Sequence, residues 1–295
     1  MSNLTLLVDG ENILHQSFHK FEKLHSTDGK PSGAIFGFFK SLHMYLTRFN
    51  PERVAVTFDN GHSPYRMELN PHYKEHRKDI SYDRESLQEQ KAVILSILGY
   101  LRIPYVFDKR KTTNYEGDDF LAYLAKAYTK GKDCRVLIVS SDKDFNQLLI
   151  NKRIKIYNPR KDSYVTYSNC KELFGYTPEE AVPYLCMVGD ASDDILGIKG
   201  IGPVKARKIL DENPKFWDYV ESLPEEQQLI LKRNKKLIDL NFFLNRFNKK
   251  VVPLKSYRTP SIRVQKFRNI AISYSFSSFL TNEFMKPFKK LNDEH

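Results

Sequence analysis

Cysteine is scarce in this chain: its 295 residues include three, Cys134, Cys170 and Cys186, odd in number and far apart. They make neither a disulfide framework nor a zinc knuckle, and they suit a reducing cytosol. Glycine (13) and proline (14) are also sparse, which excludes collagen-like and low-complexity chains. No stretch of about 18 uncharged apolar residues occurs, so no membrane span is predicted. The opening Met-Ser-Asn-Leu-Thr-Leu-Leu-Val-Asp9 lacks a basic segment and soon reaches an acid, unlike a signal peptide. What is present is 41% hydrophobic, 13% aromatic and 28% charged, enough for a sizeable core. The length predicts one large domain, or one domain with a smaller companion.

The charge is uneven. The formal net charge is +11; residues 231–295 hold 15 Lys/Arg against 4 Asp/Glu, while residues 1–230 hold 32 of each sign. A basic balance favours a polyanion such as nucleic acid, against the plainer reading of a solubilising surface.

Apolar runs alternate with helical spacing through the first half. Leu4-Thr-Leu-Leu-Val8, 54–58, 104–107 and 136–139 read as strands; 34–46, 87–101 and 118–128 read as helices. Continuous apolar strands between helices predict a mostly parallel sheet covered on both faces, an α/β core. Two short strands, 154–157 and 164–166, flank Pro159-Arg-Lys-Asp162, and helical sequence follows from 179 onward. A soft boundary is expected near 170–185, with the two parts packed together.

Three predicted strands end in an aspartate: Asp9, Asp59 and Asp142. Ligands of open parallel sheets bind beyond the carboxyl ends of the strands, so these side chains are expected on one edge. Glu116-Gly-Asp118-Asp119, Asp144 and Asp190-Ala-Ser-Asp193-Asp194 are candidates for the same edge. Each has a plainer alternative: acids favour helix N-termini, and Asp9-Gly10 and Asp59-Asn60-Gly61 could be turns. Their coincidence points to a cationic partner, because crowded carboxylates raise one another's pKa unless positive charge offsets them. Mg²⁺ or Mn²⁺ fits an all-oxygen donor set, and two such ions can cleave a phosphodiester. The eight histidines are scattered, without zinc spacing. The Asp142-Lys-Asp144 pair also fits the D-x-D of haloacid-dehalogenase-type phosphatases, but their motif lies on the first strand, where this chain has Asp9-Gly-Glu.

Gly197-Ile-Lys199-Gly200-Ile-Gly202-Pro203-Val-Lys205-Ala-Arg207-Lys208 reads as a helix–hairpin–helix. Gly200 and Gly202 permit positive φ, Pro203 suits a first helical turn, and hairpin amides with Lys199, Lys205 and Lys208 can meet duplex phosphates without reading bases. A plain glycine-capped connection is the alternative. Ser63-Pro-Tyr65-Arg66 through Tyr73-Lys74 to Arg77-Lys78 mixes aromatic and basic groups just beyond Asp59. It could grip a strand by stacking and phosphate contact, or form a solvated helix.

Together these motifs, in this order, resemble the 5′ nuclease (flap endonuclease) superfamily. The resemblance is strongest to the 5′→3′ exonuclease domain of bacterial DNA polymerase I and to free-standing phage 5′ nucleases. It runs from Leu-Leu-Val-Asp9-Gly to about Phe284 and includes Gly33-Ala-Ile-Phe-Gly37-Phe-Phe-Lys40. It implies an α/β nuclease core (1–175) with a helical arch at about 74–100. A helical DNA-binding part (176–295) would follow, with the hairpin at 197–210 and a basic tail that adds duplex contacts or a partner surface. It implies one ion among Asp9, Asp59, Glu116, Asp118 and Asp119, and another among Asp142, Asp144, Asp190 and Asp193. Asp9, Asp59, Asp142, Lys74 and Arg77 count as catalytic, with Lys74 on the scissile phosphate. Arg66, Tyr73, Lys74, Arg77, Lys199, Gly200, Gly202, Lys205 and Lys208 count as DNA-binding. The implied cofactors are Mg²⁺ or Mn²⁺, with K⁺ on the 200–202 hairpin. The implied substrates are 5′ flaps, nicked or gapped duplex DNA and RNA–DNA hybrids. A single-strand-binding protein or replisome partner, a monomeric state and a bacterial or phage-infected cytosol complete the expectation. Gly117 stands for the family's alanine, Asp194 for its asparagine and Gln16 for an arginine. The competing expectations are a catalytically weakened DNA-binding accessory protein and a PIN-type ribonuclease; the latter has no need of the duplex-binding hairpin.

Overall fold

The computed structural model describes residues 3–59, 61–75, 83–107, 115–131, 133–244 and 262–293. Its centre is β1 (Leu4–Asp9), flanked by β2 (Arg53–Thr57) and β4 (Arg135–Val139). With β3 (Tyr105–Val106), β5 (Ile154–Asn158) and β6 (Ser163–Val165) these form a six-stranded sheet in the order β3-β2-β1-β4-β5-β6. All neighbouring pairs are parallel except β5 with β6. The sheet matches the expected mostly parallel α/β core.

Successive strand residues point to opposite faces, so each central strand feeds two cores. Leu6, Val8, Val54, Val56, Leu137 and Val139 face one side, where α1 (Gly10–Lys20), α2 (Gly33–Phe49) and α4 (Arg84–Tyr100) cover them. Leu7, Ala55, Val136, Ile138, Ile154 and Ile156 face the other, under α5 (Gly117–Tyr128) and the 3-10 segment Lys143–Ile150, with Cys170 of α6 (Cys170–Phe174) and Leu240 of α11 (Leu240–Leu244) in the same core. α1 was not among the expected helices; Asp9 starts it by accepting the Asn12 amide at 3.0 Å. α1 and α2 approach closely because Gly33 has no side chain: a Cβ there would lie 2.0 Å from the Phe21 carbonyl oxygen.

A third core joins α3 (Pro64–Leu69), α7 (Ala181–Val188), α8 (Pro203–Glu212), α9 (Phe216–Val220) and α10 (Glu225–Ile238), around Leu185, Met187, Leu210, Leu231 and Leu237. Between α7 and α8 run the two-residue strands β7 (Gly189–Asp190) and β8 (Ile195–Leu196), antiparallel to each other. Buried Asn234 on α10 ties them down, donating to the Cys186 and Leu196 carbonyls at 2.9 and 2.8 Å. Residues 176–295 were expected to act together as the DNA-binding part. At their described end, α12 (Val264–Ser273) and α13 (Asn282–Asp293) pack on the first core, against α4 and α2. The reason is an aromatic stripe. Phe279 and Phe284 stack at 4.2 Å, Phe284 stacks on His43 of α2 at 4.8 Å, and Phe36 stacks on Phe279 at 5.4 Å.

Phe288 is fully buried in that stripe. Phe288→Ala is expected to cost about 3–5 kcal/mol, read from a urea midpoint; an unshifted midpoint would contradict the anchoring of the tail.

Candidate metal and nucleic-acid site

The strand ends deliver the acids as the topology requires. Asp9 closes β1; one of its oxygens caps α1 and the other accepts from the Ser140 hydroxyl at 2.7 Å. Asp59 lies two residues past β2, and its Oδ1 accepts the Gly117 amide at 2.5 Å. A Cβ at Gly117 would stand 2.8 Å from that oxygen, so glycine in place of the family's alanine allows this approach. Asp142 follows β4 and caps the next segment by accepting the Asp144 amide at 2.8 Å.

Glu116 is the hub of the first group. Its oxygens accept from the Ser63 amide (2.9 Å), the Tyr73 hydroxyl (3.0 Å) and Lys74 Nζ (2.8 Å), with the Arg66 guanidinium 3.5 Å away. Arg66 holds both oxygens of Asp119 at 2.8 and 2.9 Å and donates to the Leu237 carbonyl. Asp119 also accepts the Glu116 amide at 2.9 Å. Asp119 is fully buried with both oxygens on Arg66, and Arg66 is buried with it.

The strap carrying Tyr73 and Lys74 joins the two acidic groups. The Tyr73 hydroxyl reaches Asp193 at 3.1 Å as well as Glu116, the Lys74 amide donates to the Asp193 carbonyl, and Lys74 Nζ stands 3.7 Å from Asp193. Tyr73 and Lys74 are both buried between the two acidic groups. Arg77 lies outside the described residues, as does the rest of 76–82 in the expected arch; residues 84–100 of that arch form α4. In the second group, buried Asp190 accepts from Ser192 at 2.9 and 2.7 Å and pairs with Lys143 at 3.3 Å. Asp194 adopts a left-handed conformation (φ 53°), which aspartate and asparagine both tolerate, and its carbonyl accepts from Asn70. Gln16, half-buried, joins Asn12 and Ser141 between the ends of β1 and β4.

Burial dominates the electrostatics. It pushes the Asp9 carboxyl up to about 7, with Asp142 and Asp59 adding repulsion against the Asn12 and Ser140 hydrogen bonds. It pushes Asp59 up to about 6 against the charge of Lys74. Asp118 and Asp144 rise well above the ordinary value through burial and their neighbouring acids, and Asp142 rises too. Glu116 goes the other way: burial is outweighed by Lys74 and Arg66, which hold it well below the usual carboxylate range. Burial would push Lys74 down, but Asp193 and Glu116 keep it firmly protonated.

This donor set fits a hard divalent cation. All candidates are carboxylate oxygens, and the buried Asp144 Oδ1 finds no hydrogen-bond partner among the described residues. Among those residues no three candidate side chains close on one point as a finished cage. Mg²⁺ does not demand one, since it keeps several waters and takes one or two carboxylates. At the hairpin, Lys199, Gly200, Gly202, Lys205 and Lys208 are all exposed. Gly200 has φ 79°, whereas Gly202 is extended rather than positive in φ; a Cβ on either would meet nothing within 4 Å, leaving the backbone open to an incoming group.

A family profile described as "5'-3' exonuclease, N-terminal resolvase-like domain" matches residues 4–175. The chain belongs to this family. It is 29% identical over 238 residues to a 5'-3' exonuclease of Aquifex aeolicus (strain VF5), covering 81% of this chain and 79% of that protein. It is 34% identical over 219 residues to the thermostable DNA polymerase I of Thermus aquaticus, covering 74% of this chain but 24% of the polymerase. The fold is that of the bacteriophage T5 flap endonuclease, solved as a pseudo-enzyme-product complex with DNA and metal ions: TM-score 0.67, 20% identity, 92% of this chain and 99% of that one.

Sequence reasoning missed Glu11 and Lys91, which form a 2.7 Å ion pair beside Asp59. The signal was there: Lys91 interrupts the apolar face Leu87, Ile94, Leu98 of α4.

A raised carboxyl pKa means the folded chain keeps protons that the unfolded chain has lost. Without divalent ions, the contribution of Asp9 to stability should therefore be fully present below its unfolded value of 3.8 and be lost as pH rises through about 7, where it ionises in the folded chain. Asp118→Asn removes one of the repelling charges and should raise the melting temperature in EDTA at neutral pH, by about 2–4 °C per kcal/mol recovered. A lower melting temperature would contradict the repulsion.

Proposed function

We propose that this protein is a structure-specific 5′ nuclease that hydrolyses phosphodiesters of 5′ flaps and nicked or gapped duplex DNA, and of RNA–DNA hybrids. The observation that carries this reading is the arrival of Asp9, Asp59 and Asp142 at the ends of adjacent parallel strands, beside a buried, protonated Lys74. The family profile and the relatives named 5'-3' exonuclease support it.

Asp9, Asp59 and Asp118, with Glu116 and Asp119 behind them, would surround one divalent ion, Mg²⁺ or Mn²⁺, and Asp142, Asp144, Asp190 and Asp193 would serve a second. Bound there, such ions lower the pKa of water and polarise a phosphate. The chain's own residues do the rest. Lys74 stays charged across the working pH range, so it acts as a fixed positive charge toward a phosphate rather than as a proton donor. Glu116, ionised and saturated with donors, orients Lys74 and Tyr73. Asp9 holds a proton near neutrality until a cation displaces it. Lys199, Lys205 and Lys208, with the first turn of α8, would hold duplex backbone, and the hairpin carbonyls would take a K⁺ ion. The reading implies a monomer serving primer and flap removal, alone or beside a replisome or single-strand-binding partner.

The test is cleavage of a 5′-labelled flap duplex in Mg²⁺, beside Asp142→Asn and an EDTA control. A short 5′ product from the native protein alone is expected; tight flap binding with no cutting in Mg²⁺ or Mn²⁺ would overturn the reading. Replacing Lys199, Lys205 and Lys208 by alanine should weaken duplex binding and flatten its logarithmic salt dependence by about 0.9 per lost phosphate contact. An unchanged salt slope would remove the hairpin from the interface.

A further inference from the structure

Asp59 stands where the sheet has stopped fixing the chain. The last paired residue of β2 is Thr57, and the last ladder hydrogen bond runs from the Phe58 amide to the Val106 carbonyl at 3.0 Å. Beyond it, both backbone polar groups of Asp59 are taken by side chains. Its N–H donates to Glu11 Oε2 at 3.3 Å, and its C=O accepts from Lys91 Nζ at 2.6 Å. The same Lys91 Nζ donates to the same Glu11 oxygen at 2.7 Å, which closes a ring of three contacts around one residue. The Asp59 carboxylate is separately tied to α5 through Gly117. Lys91 reaches this point across the apolar face of α4, buried, with its ammonium over the rings of Phe58 (5.6 Å) and Phe107 (5.2 Å).

A buried ion pair is weak evidence of stabilisation, since an apolar pair of similar shape usually serves the fold as well. Placement is what an apolar pair could not supply here, because it would leave the Asp59 N–H and C=O without those partners. We propose that Glu11 and Lys91 are positioning residues: together they fix the backbone of Asp59 and so set where its carboxylate stands for a divalent ion. The inference rests on the nuclease reading above. Because Lys91 is carried by α4, a shift of that helix is passed directly to the Asp59 carbonyl.

The experiment compares native protein with Lys91→Met, Glu11→Gln, the double variant and Ile94→Val, a core substitution on the same helix that removes no polar group. Mn²⁺ affinity is measured by calorimetry without DNA, and kcat and KM on the flap duplex are measured beside it. Lys91→Met should weaken Mn²⁺ binding by about tenfold or more and lower kcat with little change in KM. The double variant should lose no more than Lys91→Met, because the pair acts as a unit. Ile94→Val should lower the melting temperature and leave Mn²⁺ affinity alone. Unchanged Mn²⁺ affinity in Lys91→Met, or additive losses in the double variant, would overturn the proposal. If Lys91→Met does not fold, Glu11→Gln decides the matter, since it keeps shape and acceptor while removing the charge, and the same losses at smaller size are expected. If the native protein binds Mn²⁺ but cuts nothing, the nuclease reading falls while the Mn²⁺ titration still decides the positioning claim.

Discussion

Repulsion among carboxylates that the fold packs together at one edge of its sheet is the constraint on which the rest of the site depends. The chain answers it in two ways. One set of acids is neutralised internally: Glu116 by Lys74 and Arg66, and Asp119 by Arg66. The other set is left in deficit: burial and mutual repulsion hold Asp9, Asp118 and Asp144 toward their protonated forms. The first set builds a rigid frame with a fixed cation in it. On the proposed reading the second would take a divalent ion, and its cost in stability would favour ion binding.

The frame is a product of ordinary secondary-structure chemistry. Asp9 and Asp142 each end a strand connection and cap the segment that follows, so backbone hydrogen bonds orient their carboxyl groups before any ligand is present. The strand period of two keeps both faces of β1 in apolar cores, and only its carboxyl end is left for polar work. Tyr73 and Lys74 then bridge Glu116 to Asp193, so α3 and its strap link the sheet to the helices beyond residue 180. The third core carries the exposed hairpin, held in place by Asn234.

Much of this was legible in the sequence. Apolar runs ending in Asp9 and Asp59 and the run before Asp142 gave the strands and the shared edge, since strand ends in a parallel sheet must point the same way. The roles of Arg66 and Asp119 were not legible, because a charged residue in a basic, aromatic segment reads the same whether it faces solvent or a buried partner. Burial is a tertiary property, and here it joins the two residues in one buried ion pair. Helix α1 was hidden by its polar composition, with Asp9 supplying the start signal. In the tail the net charge suggested duplex contacts or a partner surface, while which face Phe267, Phe279, Phe284 and Phe288 would pack against is set by tertiary structure.

The most direct test of the central claim is proton release on ion binding. Mn²⁺ should be titrated calorimetrically into the DNA-free protein near neutral pH, in two buffers of different ionisation enthalpy. The account predicts binding accompanied by release of protons from the crowded carboxylates, with the apparent enthalpy depending on the buffer. Binding with the same enthalpy in both buffers, or no binding, would contradict it.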